Sequence, residues 1–125
     1  MQKIEDKSMK YSLGIDMGSS SIKLSLMDIL SGECVASATN PSSEMKIEAL
    51  EPGWAEQDPD MWWEYISMGL KQIAKSHSLK DVVSIGITYQ MHGMVALIAS
   101  MNPCVGLLYG ATREPLRLER RLSIV

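Results

Sequence analysis

Between residues 11 and 40, apolar and polar positions alternate in three short runs separated by turn residues. Tyr11 to Asp16 reads as a first strand, an apolar run that ends in an aspartate. Ile22 to Asp28 sets Ile22, Leu24 and Leu26 against Lys23, Ser25 and Met27, the alternation of a half-buried strand. Leu30-Ser31-Gly32-Glu33 predicts a hairpin turn, and Cys34 to Thr39 a third strand. The three together predict an antiparallel meander. Asn40 to Glu56 shows no period and predicts a long connection that is ordered only by docking. Asp58-Pro59 then supplies an N-cap and a proline for the first helical position. Trp62, Ile66, Leu70 and Ile73 follow at helical spacing, with Trp63 and Ala74 widening the stripe, so a core-packing helix is predicted to about Lys75. Asp81 to Thr88 returns to period two, with Val83, Ile85 and Ile87 on one face. Met94 to Ile98 begins a further strand.

Composition adds boundaries to this picture. A chain of 125 residues, 46% of them hydrophobic, is one domain at most and can bury a core. The two cysteines, Cys34 and Cys104, match no zinc or CxxC spacing and read as reduced thiols of a cytoplasmic protein. No apolar run reaches membrane-spanning length, and the polar first ten residues are not a signal peptide, so no membrane association is expected. Residues 1–8 are expected to be a disordered extension. A net charge of −3 argues against nucleic-acid binding. The oligomeric state is left open.

The richest chemistry lies at Leu13-Gly14-Ile15-Asp16-Met17-Gly18-Ser19-Ser20-Ser21-Ile22-Lys23. An aspartate at a strand end can hold a hydrated divalent cation beside a phosphate. Gly18 lets the backbone turn tightly, and the hydroxyls and amides of Ser19, Ser20 and Ser21 can form an anion-binding concavity. The same residues also suit an ordinary hairpin turn, because Asp, Gly and Ser are common turn residues. Neither a Walker loop nor a dinucleotide loop is present.

Strand, Asp-x-Gly-Ser turn, strand resembles the first phosphate loop of the sugar-kinase, actin and Hsp70 ATPase superfamily. Gly53-Trp54-Ala55-Glu56-Gln57-Asp58-Pro59 with Met61-Trp62-Trp63 resembles the Trp-x-Glu-Gln-Asp-Pro signature of FGGY carbohydrate kinases. Tyr89-Gln90-Met91-His92-Gly93-Met94 resembles the Gln-Met-His-Gly segment of the xylulokinase branch. The resemblance spans roughly residues 9–98. It implies an α/β fold, the β-β-β-α-β opening of a ribonuclease-H-like domain of the actin, hexokinase and Hsp70 type, here incomplete. It also implies ATP and Mg²⁺ as cofactors, with weak or no binding expected of this fragment, approached by Asp16, Gly18, Ser19, Ser20, Ser21 and Lys23, with Asp16 the indirect metal residue. Gln90, Met91 and His92 are implied as contacts to the sugar, D-xylulose. The family's aspartate base is expected beyond these residues, so no catalytic residue is assigned. Trp54 could stack on a sugar or plug the long connection, and the plug is favoured. Glu56 and Asp58 could form an acid–base carboxylate pair, but Glu56 is read as fixing that connection and Asp58 as the helix cap. His77, in a polar helix-end segment, is expected to be solvated.

After Leu97 the resemblance fails. Before residue 100 every basic residue is lysine, whereas the four arginines are Arg113, Arg117, Arg120 and Arg121. The family continues with Leu-Trp-x-Asp-x-Arg. A frame shifted within the codons of Tyr109-Gly110 can spell Trp-Cys-Asp-Ser-Arg-Ala-Val. Residues 9–103 are therefore read as part of the kinase N-terminal domain. Residues 104–125 are read as a disordered, non-homologous tail from a frame slip near Pro103-Cys104. A genuine basic tail, helical from Glu114 to Leu122, is the alternative.

The expected function is that of an N-terminal fragment of a xylulokinase-type enzyme, inactive alone. The alternatives are a fragment of another FGGY sugar kinase, or a non-catalytic remnant that keeps part of a sugar site.

Overall fold

A computed structural model describes residues 9–49, 52–91, 93–97, 100, 103–105 and 107–108. The expected N-terminal extension 1–8, His92 and the segment 109–125 lie outside the described residues. The chain divides into two compact units: one takes in residues to Lys46 and Asp60–Gln90, the other Ile47–Pro59 and residues from Met91.

In the first unit, β1 (Tyr11–Met17), β2 (Ile22–Asp28) and β3 (Cys34–Asn40) form the meander that the alternation predicts. β1 pairs antiparallel with β2, and β2 with β3. The turn between β2 and β3 is closed by Asp28, which accepts hydrogen bonds at its carboxylate from the Leu30 amide (3.0 Å) and the Ser31 hydroxyl (3.2 Å). Gly32, at φ +73, takes the left-handed conformation there at little steric cost. β5 (Val82–Tyr89) pairs parallel with β1 and completes a four-stranded sheet of order β3-β2-β1-β5. A parallel neighbour needs a crossover, which the helix α1 (Pro59–Ile73) supplies.

One face of this sheet is the core. Tyr11 and Leu13 of β1 and Ile22, Leu24 and Leu26 of β2 are buried with Ile66 and Ile73 of α1. Fully burying each such aliphatic side chain contributes about 1.5–3 kcal/mol. Gly69 lets the helix sit close: a Cβ there would stand 2.9 Å from Leu24 Cδ1. Trp62 packs against the core, but Trp63 is 66% exposed and Ala74 is exposed, so the stripe is narrower than predicted. One residue along a helix is about 100° around it, which carries Trp63 off the buried face.

The apolar row of β5 is exposed. Ile85, Ile87 and Tyr89 stand in register with Leu13, Ile15 and Met17 of β1, yet they are 61%, 60% and 72% exposed. Period two states which side chains share a face, not whether that face is covered. His77 is not simply solvated. It is half-buried, meets the Tyr11 ring edge-on at 5.8 Å and lies 2.9 Å from Ser76 Oγ through Nδ1.

In the second unit, Glu48 and Glu56 form an antiparallel bridge through both backbone amides, at 2.8 and 2.7 Å. Glu56 thus ties down part of the long connection, as expected of it. β4 (Glu56–Gln57) pairs with β8 (Leu107–Leu108), and β6 (Ala96–Leu97) with β7 (Pro103–Val105). The segment expected to be disordered from residue 104 therefore starts differently, because Cys104, Val105, Leu107 and Leu108 are strand residues. Ladder pairing uses backbone groups and does not require an evolved side-chain pattern. Among the described residues, no helix is long and apolar enough to cross a membrane.

Candidate functional site

The ends of β1 and β2 carry the predicted phosphate turn. Met17 pairs with Ile22, and residues 18–21 connect them. The Gly18 amide donates to the Ser21 carbonyl at 3.0 Å. A Cβ on Gly18 would lie 2.9 Å from that same carbonyl oxygen. Glycine is required here by space between two backbone segments. The turn is braced from outside as well. The Met45 amide donates to the Ser20 carbonyl at 2.8 Å, and the Met45 side chain is buried in the core. Sequence reasoning did not single out Met45, because nothing in a chain stretch without periodicity marks which apolar residue will dock.

Asp16 and Lys23 are partners across β1 and β2, and Asp16 and Thr88 are partners across β1 and β5. All three share the face of the sheet opposite the core, since Leu13, Ile15 and Leu24 point the other way by alternation. Asp16 is exposed at the strand end, and Oδ1 accepts a hydrogen bond from Thr88 Oγ1 at 2.8 Å. Lys23 closes no ion pair with it among the described residues. The hydroxyls of Ser20 and Ser21 bond no described residue, which leaves them available to a ligand. Ser19 is already engaged within the protein.

The structure thus brings Asp16, Gly18, Ser19, Ser20, Ser21 and Lys23 together around one turn. A single carboxylate, a cationic lysine and the Ser20 and Ser21 hydroxyls on a tight glycine turn suit a phosphate with its hydrated divalent cation. The donor set therefore fits a nucleotide phosphate and Mg²⁺.

Gln90 directly follows β5. Its amide donates to the Met17 carbonyl at 3.0 Å, which fixes it beside the end of β1. Its side-chain Oε1 is buried and has no hydrogen-bond partner among the described residues. A buried acceptor without a partner costs about 1–3 kcal/mol, so it invites a polar ligand or water. Met91 is exposed and belongs to the second unit. His92 lies outside the described residues, so its role stays an expectation.

Comparison with known proteins follows the same lines. Residues 11–106 match the model of the FGGY family of carbohydrate kinases, N-terminal domain. The xylulose kinase of Escherichia coli K12 is 39% identical over 90 residues, 72% of this chain and 18% of that protein. Among solved structures, the xyloylose kinase from Brucella ovis superposes with a TM-score of 0.69 at 29% identity, covering 78% of this chain and 20% of the other. The gluconate kinase from Lactobacillus acidophilus superposes at 0.70 with 25% identity, covering 81% and 20%. The chain spans about a fifth of the length of these relatives. With three motifs in order, an actin- and hexokinase-like sheet and a family match over most of its length, this chain belongs to the FGGY family of carbohydrate kinases.

Proposed function

We propose that this chain is the phosphate-turn part of an ATP-dependent kinase that converts D-xylulose to D-xylulose 5-phosphate. The observation that carries the reading is the Asp16–Gly18–Ser21 turn between the end of β1 and the start of β2, set in a stretch of 90 residues 39% identical to a xylulose kinase. When bound, ATP and Mg²⁺ supply the phosphoryl group and neutralise its charge. The chain's own residues do the rest of what is assigned to them here. Asp16 orients the hydrated cation. Ser20, Ser21 and Lys23 meet phosphate oxygens, with Gly18 allowing the close backbone approach. Gln90, Met91 and His92 contact the sugar, where a neutral imidazole can both donate to and accept from hydroxyls. None of these residues is a general base, so the 125-residue chain alone is expected to show no turnover.

A second reading takes another sugar or sugar acid as substrate, favoured by the likeness to a gluconate kinase. A third keeps partial sugar binding without any catalysis. Titration of the isotope-labelled chain separates them. In the first reading D-xylulose shifts the amide resonances of residues 90–92, and ATP with Mg²⁺ shifts those of residues 16–23. Shifts at 90–92 with D-gluconate and none with D-xylulose would transfer the assignment to the second reading. D-xylulose shifts with no response to ATP would favour the third.

A further inference from the structure

We propose that Thr88 is a positioning residue for Asp16, holding its carboxylate in one rotamer through Oδ1 and leaving Oδ2 for the hydrated cation. This rests on the reading of Asp16 as the metal and phosphate residue.

Asp16 is exposed at the end of β1, where an aspartate side chain is free to populate several staggered rotamers. Ordering it at the moment of binding costs conformational entropy that a pre-set carboxylate avoids. Thr88 is the residue directly across from it on β5, and the Oγ1 to Oδ1 distance is 2.8 Å. Threonine is branched at Cβ and stiff about χ1, so the donor itself is well placed. The chemistry of the anchor matters as much as its position. Lys23, the cross-strand partner on the other side, closes no ion pair with Asp16 among the described residues. A lysine anchor would neutralise the carboxylate, whereas a neutral hydroxyl fixes it and leaves its full negative charge for a cation. Oδ2 forms no hydrogen bond among the described residues, so one oxygen is held and the other is available.

The same two strands provide an internal control. Ser84 Oγ donates to Ser12 Oγ at 2.9 Å on the same face, four residues back along both strands. A merely structural cross-strand bond would behave alike at both places.

The test uses the whole chain, labelled with ¹³C and ¹⁵N. Three-bond couplings from Asp16 Cγ to its backbone N and C′ read the χ1 population without any ligand. Broadening of residues 16–23 by Mn²⁺ in the presence of ATP reads cation affinity. Thr88→Val keeps the branched shape and removes the donor. Thr88→Ala provides a second variant if the first fails to fold. Thr88→Ser restores the donor, and Ser84→Ala is the control. We expect one χ1 rotamer in the wild type and in Thr88→Ser, and averaged couplings in Thr88→Val and Thr88→Ala. The apparent Mn²⁺ dissociation constant should rise about 3- to 10-fold in those two, as for one lost hydrogen bond, and stay unchanged in Ser84→Ala. Averaged couplings in the wild type, unaveraged couplings in Thr88→Val and Thr88→Ala, or unchanged Mn²⁺ affinity in those two beside a binding wild type, would overturn the role of Thr88 alone. A wild-type chain with no Mn²⁺ broadening at residues 16–23 would overturn the reading of Asp16, and this proposal with it.

Discussion

The side-chain amides of Asn40 and Gln72 face each other in a reciprocal pair. Asn40 Nδ2 donates to Gln72 Oε1 at 3.2 Å, and Gln72 Nε2 donates to Asn40 Oδ1 at 3.3 Å. Asn40, at the end of β3, is only 4% exposed, so the pair fastens the meander to the last turn of α1 while satisfying a buried polar group.

Asn40→Ala should therefore lower the unfolding free energy by about 1–2 kcal/mol. The cycle Asn40→Ala, Gln72→Ala and the double variant, followed by urea unfolding, should give a coupling of about 0.5–1.5 kcal/mol. Additive effects would show that the two amides do not depend on each other.

Two glycines separate a backbone clash from a side-chain clash. At Gly18 the added Cβ meets the Ser21 carbonyl oxygen at 2.9 Å, and neither backbone segment can give way without moving the turn. At Gly69 it meets the methyl ends of Leu24, which is fully buried, while alanine gains up to about 1 kcal/mol of helix propensity. Overpacking costs about 1–3 kcal/mol in either case. Gly18→Ala should thus destabilise the chain more than Gly69→Ala does. Equal losses in thermal or urea unfolding would count against the tight turn.

The exposed row on β5 should govern solubility and contribute little to stability. Ile85→Thr and Ile87→Thr keep branched strand formers at positions about 60% exposed. Each should change unfolding free energy by less than about 0.5 kcal/mol and reduce association seen by light scattering. A large loss of stability would mean that these side chains are covered in solution.

The ion pair between Lys10 and Asp81, 3.5 Å apart with side chains 46% and 35% exposed, should matter least. Lys10→Met is expected to cost less than about 1 kcal/mol, and raising the salt concentration should erase the difference. A loss that persists in high salt would point to packing by the lysine stem.

The family was legible in the sequence because its motifs are short, contiguous and chemically demanding. Asp16, Gly18 and Ser19 to Ser21 stand together along the chain, so their arrangement around one turn needed only the strands on either side. β2 was read to its end residues, since its alternation between Ile22, Leu24, Leu26 and the polar positions is complete. The helix start at Pro59 followed from proline's fixed φ and missing amide.

What alternation could not give was coverage. Ile22, Leu24 and Leu26 share the pattern of Ile85 and Ile87, yet the first three are buried and the other two are not. Whether a face is buried depends on what packs on it, and that is decided by the path of α1 over the sheet. Pairings over long sequence separations were equally invisible. Thr88 lies 72 residues from Asp16 and became its partner only through the parallel register of β1 and β5. Met45 and Asn40 lie in or beside a stretch with no period, and docking alone assigned them to the core and to Gln72. The sequence by itself determined the meander with its turns, the helix after Pro59 and the family, because those depend on neighbouring residues. Only the tertiary structure decided which faces are covered and which distant side chains hold the site, because those depend on the register and crossing of elements far apart in the chain.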